Sequence, residues 1–193
     1  MSNIARIRLE EASFIELMSV NPVSKKQRLT ELLVDWILIC LYLITLFLVM
    51  LVINYVAFGK ALPDHGELYS QLIATFTTTI PVSIIFAWLD FRWQGSLGKH
   101  FAGLRLVFKR PTFGKSLLRN FLKFLPWQLG HVSVIRFMYG KTDFLTIILY
   151  LLSIGLLVTY LVMGLGRQDK RHLPDFLASC QVVQVEALED KAP

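Results

Sequence analysis

Charge is thin in this sequence, cysteine is rarer still, and the few histidines are scattered. Charged residues make up 18% and apolar residues 54% of the 193, against about a quarter and about 45–50% in an average soluble domain. That balance excludes a water-soluble globule with a well-wetted surface. Two cysteines, Cys40 inside an apolar run and Cys180 near the C-terminus, cannot build a disulfide framework. His65, His100, His131 and His172 include no pair at metal-ligand spacing, so no metal is expected. Gly98-Lys99 is not a phosphate loop, because His100 follows where that motif needs Ser or Thr. No nucleophile and base stand in a legible arrangement, which points away from an enzyme and from a cofactor. Residues 1–30 are polar and mixed in charge, so the first apolar run reads as an uncleaved anchor rather than a signal peptide.

What the sequence does have is apolar residues in blocks. Trp36 to Val56, Leu72 to Leu89 and Phe144 to Gly166 run without a charged residue, each within or close to the roughly 17–25 residues that cross a hydrocarbon core as a helix. A fourth stretch, Phe124 to Ile135, is short and contains Pro126 and His131. A helix from about Leu117 to Met138 can still cross if Lys123 and Arg136 reach toward the headgroups. Charge distribution favours that option. Short cytoplasmic loops collect Lys and Arg, and four crossings leave only Lys60, Arg136 and Lys141 on the far side, out of 20 such residues. Three crossings would put Lys60, Arg167, Lys170, Arg171 and Lys191 there. The expectation is an all-α membrane protein with four transmembrane helices, at about 31–57, 70–90, 117–138 and 143–166, in a cell membrane with both termini cytoplasmic. A cytoplasmic extension, 1–27, precedes the membrane domain, 28–187, and a polar tail, 188–193, follows it.

The connection from Phe91 to about Ser116 reads as turn, strand, turn. Leu104, Leu106 and Phe108 alternate with Arg105, Val107 and Lys109, as a half-buried strand requires. Gln181 to Glu186 is a second strand-like run on the same side of the membrane. Because an isolated two-stranded ribbon is marginal in water, the two are expected to pair with each other and pack on the helix ends. Before Asn21-Pro22, Ile4, Ile7, Leu9, Phe14, Ile15 and Leu17 permit a short surface helix, although its acidic residues make it a poor anchor for anionic lipid.

These residues together resemble the RDD family of small membrane proteins. Arg28 and Asp35 match the arginine and aspartate of that family's first helix. Ser96, Gly98, Lys99, Gly103, Leu104, Arg105 and Val107 match its Thr/Ser-x-Gly-Lys-x-x-x-Gly-Leu-Arg-x-Val stretch. Arg119-Asn120 resembles the Arg-Asn that opens the next helix, and Asp175 with Phe176, Leu177, Ala178 and Val182-Val183 resembles the closing segment. The order of these motifs runs from Arg28 to about Val183. Pro174 stands where a histidine is usual, with His172 two residues earlier, and Cys180 falls near the usual threonine. The resemblance implies a multi-pass membrane protein, and transport has been suggested for such proteins.

Arg28 and Asp35 lie seven residues apart, nearly two turns, and project from one helix face about 10 Å apart along the axis. That spacing is too long for a direct bridge and suits a third group held between them. Asp35 sits about a turn inside the membrane border, where a carboxylate must find a partner, reach water or take a proton. Two readings follow: a clamp in which Asp35 pairs with a basic residue such as Arg119 or Arg28, or a group that changes protonation or ligand in a transport cycle. In the second apolar run, Thr75, Thr77, Thr78, Thr79 and Ser83 surround Pro81, which frees a carbonyl that nearby hydroxyls can satisfy. Asn54, Gln128, His131 and Thr159 either line the same interior or pair between helices. The protein is thus read as a small transporter with Arg28, Asp35 and Asp175 at a cytoplasmic gate, or as an accessory subunit. In the accessory reading, a basic platform from Lys99 to Lys123 holds anionic lipid headgroups or a partner membrane protein. A homo-oligomer fits either reading, and the spread of basic residues over juxtamembrane loops favours lipid over nucleic acid.

Overall fold

The computed structural model describes residues 23–59 and 66–185. The short helix expected before Asn21-Pro22, the loop around Lys60, Glu186 at the end of the second strand, and the polar tail 188–193 lie outside the described residues. The elements are α1 (Lys25–Phe58), α2 (Glu67–Arg92), α3 (Leu97–Phe101), β1 (Leu104–Phe108), α4 (Phe113–Met138), α5 (Phe144–Gly166), α6 (Leu173–Leu177) and β2 (Cys180–Gln184). Of these, α1, α2 and α5 are long and apolar enough to cross a membrane.

Helix α1 begins earlier than its apolar run because Ser24 and Gln27 form a capping box, which satisfies the first free amides and draws Arg28 into the helix. Thr112 and Asp143 cap α4 and α5 with their side chains, accepting the Lys115 and Thr146 amides. The buried residues of α1 are Arg28, Glu31, Asp35 and Ile39, while Leu41, Ile44, Phe47, Leu48 and Val52 are exposed. Three of the four buried residues are charged and the exposed face is apolar, the arrangement a helix takes when lipid is its solvent.

The prolines within α2 and α4 are accommodated by tyrosines from neighbouring helices. Ahead of Pro81, Thr75–Thr79 form a π-helical turn, and the Tyr42 hydroxyl of α1 donates to the Thr77 carbonyl at 2.5 Å. Pro126 leaves the Leu122 carbonyl without its usual amide, and the Tyr160 hydroxyl of α5 donates to it at 3.1 Å. The expected rescue of freed carbonyls by hydroxyls is therefore present, and its donors come from across helix interfaces. Gln128 and His131 also pair between helices, Gln128 donating to Thr75 at 2.8 Å and His131 lying 3.4 Å from the Thr78 hydroxyl. Thr159 bonds back to Gly155 within α5.

Ile39, Val82, Phe86 and Phe124 form the apolar core where α1, α2 and α4 meet, with the Phe86 and Phe124 rings edge to face at 5.3 Å. Gly130 lets α5 approach α4 closely: a Cβ there would lie 3.0 Å from the Ser153 hydroxyl, which donates to the Pro126 carbonyl.

β1 and β2 pair antiparallel with Leu106 opposite Val182, as expected. Leu104, Leu106, Ala178, Cys180 and Val182 enclose a small core into which Val23 is tucked. The segment before β1 differs from its expectation as a plain turn: Ser96 accepts the Lys99 amide and starts the helical turn α3. Gly103, at φ +68°, then turns the chain into the strand.

The bundle is tied at both ends. At the end opposite the sheet, Arg136 of α4 reaches Glu67 of α2 at 3.3 Å and Asp143 before α5 at 2.5 Å, and Lys141 reaches Glu67 at 2.5 Å. At the sheet end, the charged residues of α1 meet those of α2, α3, α4 and the α5–β2 connection.

Candidate functional site

The sheet-end cluster forms because α1, α2 and α4 bring charged residues to that end, α3 inserts between them, and the segment after α5 adds Asp175. Asp35 accepts the Ser96 hydroxyl at 2.7 Å and the Gly98 amide at 2.9 Å. Its nearest cation is Lys123, at 3.7 Å. The Ser96–Lys99 turn thus sits on Asp35, while Arg28 is held by Glu31 and the Lys170 carbonyl. Gly98 is compulsory there, since a Cβ would lie 2.4 Å from the Glu31 carbonyl and 2.6 Å from Asp35 Oδ1.

Lys99, fully buried, places its ammonium 3.0 Å from Glu31 and 3.6 Å from Asp90. Burial alone would push its pKa down, but the Asp90 and Glu31 carboxylates outweigh that and hold it above the ordinary lysine value. Arg28 binds Glu31 at 2.7 Å and donates to the Lys170 carbonyl at 2.5 Å. Arg119 bridges Asp90 at 2.7 Å and Asp175 at 2.8 Å, and Asn120 adds a bond to Asp90 at 2.8 Å. This assigns work to both members of the Arg119-Asn120 pair.

Asp175 caps α6 and is fully buried. Burial disfavours its charge, but His172 and Arg119 reverse the effect and hold the carboxyl well below the usual range. The His172 Nδ1 lies 3.1 Å from Asp175. Burial foremost lowers the His172 pKa to about 4, so near neutrality the ring is uncharged and Arg119 is the cation that keeps Asp175 ionised. The position two residues before Pro174 thus supplies an imidazole against the aspartate. Cys180, a free thiol, has its pKa raised by burial and then by Asp175, which keeps it unreactive.

Arg28, Asp35, Asp175, Ser96, Gly98, Lys99 and Arg119 are thus gathered in one place, while Gly103 and Arg105 are not. Gly103 turns the chain, and Arg105 lies on the sheet's outer side, donating to the Trp93 carbonyl at 3.2 Å and abutting His100. The basic partner expected for Asp35 is Lys123, at 3.7 Å, while Arg28 and Arg119 are committed to other carboxylates. One expectation is corrected. Lys99 and Arg119 are buried at 0% and 1% exposure, so they cannot belong to an open basic platform.

Sequence reasoning overlooked Glu31 and Asp90. Both were signalled: Glu31 lies between Arg28 and Asp35 at helical spacing, and Asp90 directly bounds the second apolar run. Across the cluster, Arg28, Lys99, Arg119 and Lys123 stand against Glu31, Asp35, Asp90 and Asp175. Charge is balanced, and the arrangement orients helices.

A model of the RDD family matches residues 23–179, a span that begins at the Val23 tucked into the sheet core and includes every member of the cluster. No curated protein and no solved structure matches the chain.

Proposed function

We propose that this chain, which belongs to the RDD family, is a non-enzymatic, four-crossing protein of the cell membrane. In this reading it acts as an accessory or lipid-binding subunit, with its charged cluster locking the bundle at the cytoplasmic face. The observation that carries the reading is that the charged residues of the family motifs are engaged with one another. Arg28, Lys99 and Arg119 each hold a carboxylate within 3.0 Å, and Asp35 is held by Ser96 and Gly98. A transport cycle through Arg28 and Asp35, the other role considered, would have to release groups whose separation from a partner costs about 3–5 kcal/mol each.

Support for four crossings comes from the two ties. Helix α4 has 26 residues, about 39 Å of helix. It carries Arg119 into the same cluster as Asp90 at the end of α2, and Arg136 onto Glu67 at the start of α2. A helix tied to both ends of a crossing neighbour crosses with it, and its charged residues are neutralised where they lie. With the sheet end facing the cytoplasm, both described chain ends and most Lys and Arg fall on that side, as the distribution of basic residues requires.

The test is flux in proteoliposomes containing the purified full chain. The expected result is no movement of sodium, potassium or protons above that of protein-free vesicles, with or without a gradient. Gradient-driven flux that Asp35→Asn abolishes without lowering the reconstituted amount would replace this reading with transport.

A further inference from the structure

Beside the charge cluster, a crevice of about 420 Å³ separates α1 from the α4/α5 pair. We infer that it is a binding site for one anionic phospholipid, with an acyl chain lying in the crevice and the phosphate at its charged lip, against Lys123 and Arg28. The inference rests on the lipid-binding reading above and gives it a location.

The crevice is amphipathic along its length. Its inner wall is apolar, formed by Ile39, Trp127, Leu157 and Leu161 among others, while Arg28, Lys123 and His172 stand at the end nearest the sheet. Leu33 and Trp36, on the α1 side, are 62% and 52% exposed, so the crevice opens sideways into lipid. Gly164 on α5 also faces open space, with no atom within 4 Å of where a Cβ would stand.

Charge at the lip selects the headgroup. Glu31 and Asp35 also border it, but Glu31 is paired with both Arg28 and Lys99, and Asp35 is held by the α3 turn. The donors left over are cationic. Arg28 Nε is buried with no hydrogen-bond partner among the described residues. The Lys123 ammonium has its nearest carboxylate at 3.7 Å, beyond hydrogen-bond reach, and rests over the Phe86 and Phe124 rings at 4.9 and 5.4 Å. Its side chain is 15% exposed. A phosphate oxygen offers the acceptors that these donors lack, and a zwitterionic headgroup would add an ammonium beside donors that need acceptors. Retention of a chain alone would be generic in a membrane; discrimination by headgroup is what the lip adds.

The full-length protein, purified in mild detergent and given equal amounts of phosphatidylglycerol and phosphatidylcholine, can be examined by native mass spectrometry. The expected spectrum shows one retained phosphatidylglycerol, preferred by at least about fivefold. Gly164→Phe, which fills the crevice where there is room for a ring, should lose the bound lipid while keeping the monodisperse elution of the wild type. Lys123→Gln should keep a lipid but lose the preference. Equal retention of both lipids by the wild type, or an unchanged spectrum for Gly164→Phe, would overturn the site. So would a second copy of the chain covering Leu161 in place of lipid. Ion flux is read separately, so an inert protein without lipid preference would remove this site and leave the non-transport reading intact, whereas flux with lipid preference would do the reverse.

Discussion

Position 98 shows how little room the cluster leaves. The Gly98 amide binds Asp35, and the missing side chain is what allows α3 to lie against the α1 backbone at Glu31. Gly98→Ala keeps the amide but places a methyl group 2.4 Å from a helix carbonyl, a clash that only backbone movement can relieve, at a cost of about 1–3 kcal/mol. Such movement also draws Lys99 out of line with Glu31 and Asp90. The variant is therefore expected to unfold in detergent several degrees below the wild type, with unchanged helix content in far-ultraviolet circular dichroism. Gly164→Ala, whose Cβ meets nothing, is the control and should unfold no lower than the wild type. At this scale a weak-looking Ser-x-Gly-Lys becomes a specific device: a hydroxyl and an amide for Asp35, no side chain where helices touch, and a buried cation between two carboxylates.

The elements explain which features were legible and which were not. The three uninterrupted apolar runs identify α1, α2 and α5, since nothing but lipid accommodates such blocks. The alternation around Leu104 and Leu106 and the apolar run at Val182-Val183 identify two strands that need each other. Spacing alone did not reveal α3, because a five-residue turn has no periodicity to detect, and its cap at Ser96 is one hydroxyl among many. Nor could Asp35's partner be read, since a carboxylate inside a membrane announces that it needs a partner without saying whether that is a cation or a backbone amide. Helix α4 is where length and charge pull apart, and the structure brings its ends into register with both ends of α2. Cysteines introduced singly at Lys141 and Lys109, in a background where Cys40 and Cys180 are replaced by serine, can be tested with a membrane-impermeant maleimide on intact cells. Position 141 should label from outside and position 109 only after the membrane is opened. Equal labelling of both from one side would mean that α4 does not cross.

For the molecule as a whole, the bundle is held less by an apolar centre than by its two charged ends, because apolar helices gain little from one another when lipid is the alternative. At the sheet end, cations and carboxylates from α1, α2, α3, α4 and the α5–β2 connection form a balanced set, so removing one leaves buried partners with less compensation. Lys99 is the residue at which this is tested most directly: it is fully buried, it touches carboxylates from both α1 and α2, and methionine reproduces its length. Thermal unfolding of Lys99→Met and of Lys99→Met with Glu31→Gln, compared with the wild type and with Glu31→Gln, is the decisive measurement. The account predicts that Lys99→Met costs about 3–5 kcal/mol, lowering the midpoint by about 6–20 °C or preventing recovery of folded protein, and that adding Glu31→Gln restores part of the loss. A single variant that unfolds at the wild-type temperature, or a double variant whose loss is the plain sum of the two single ones, would contradict the lock.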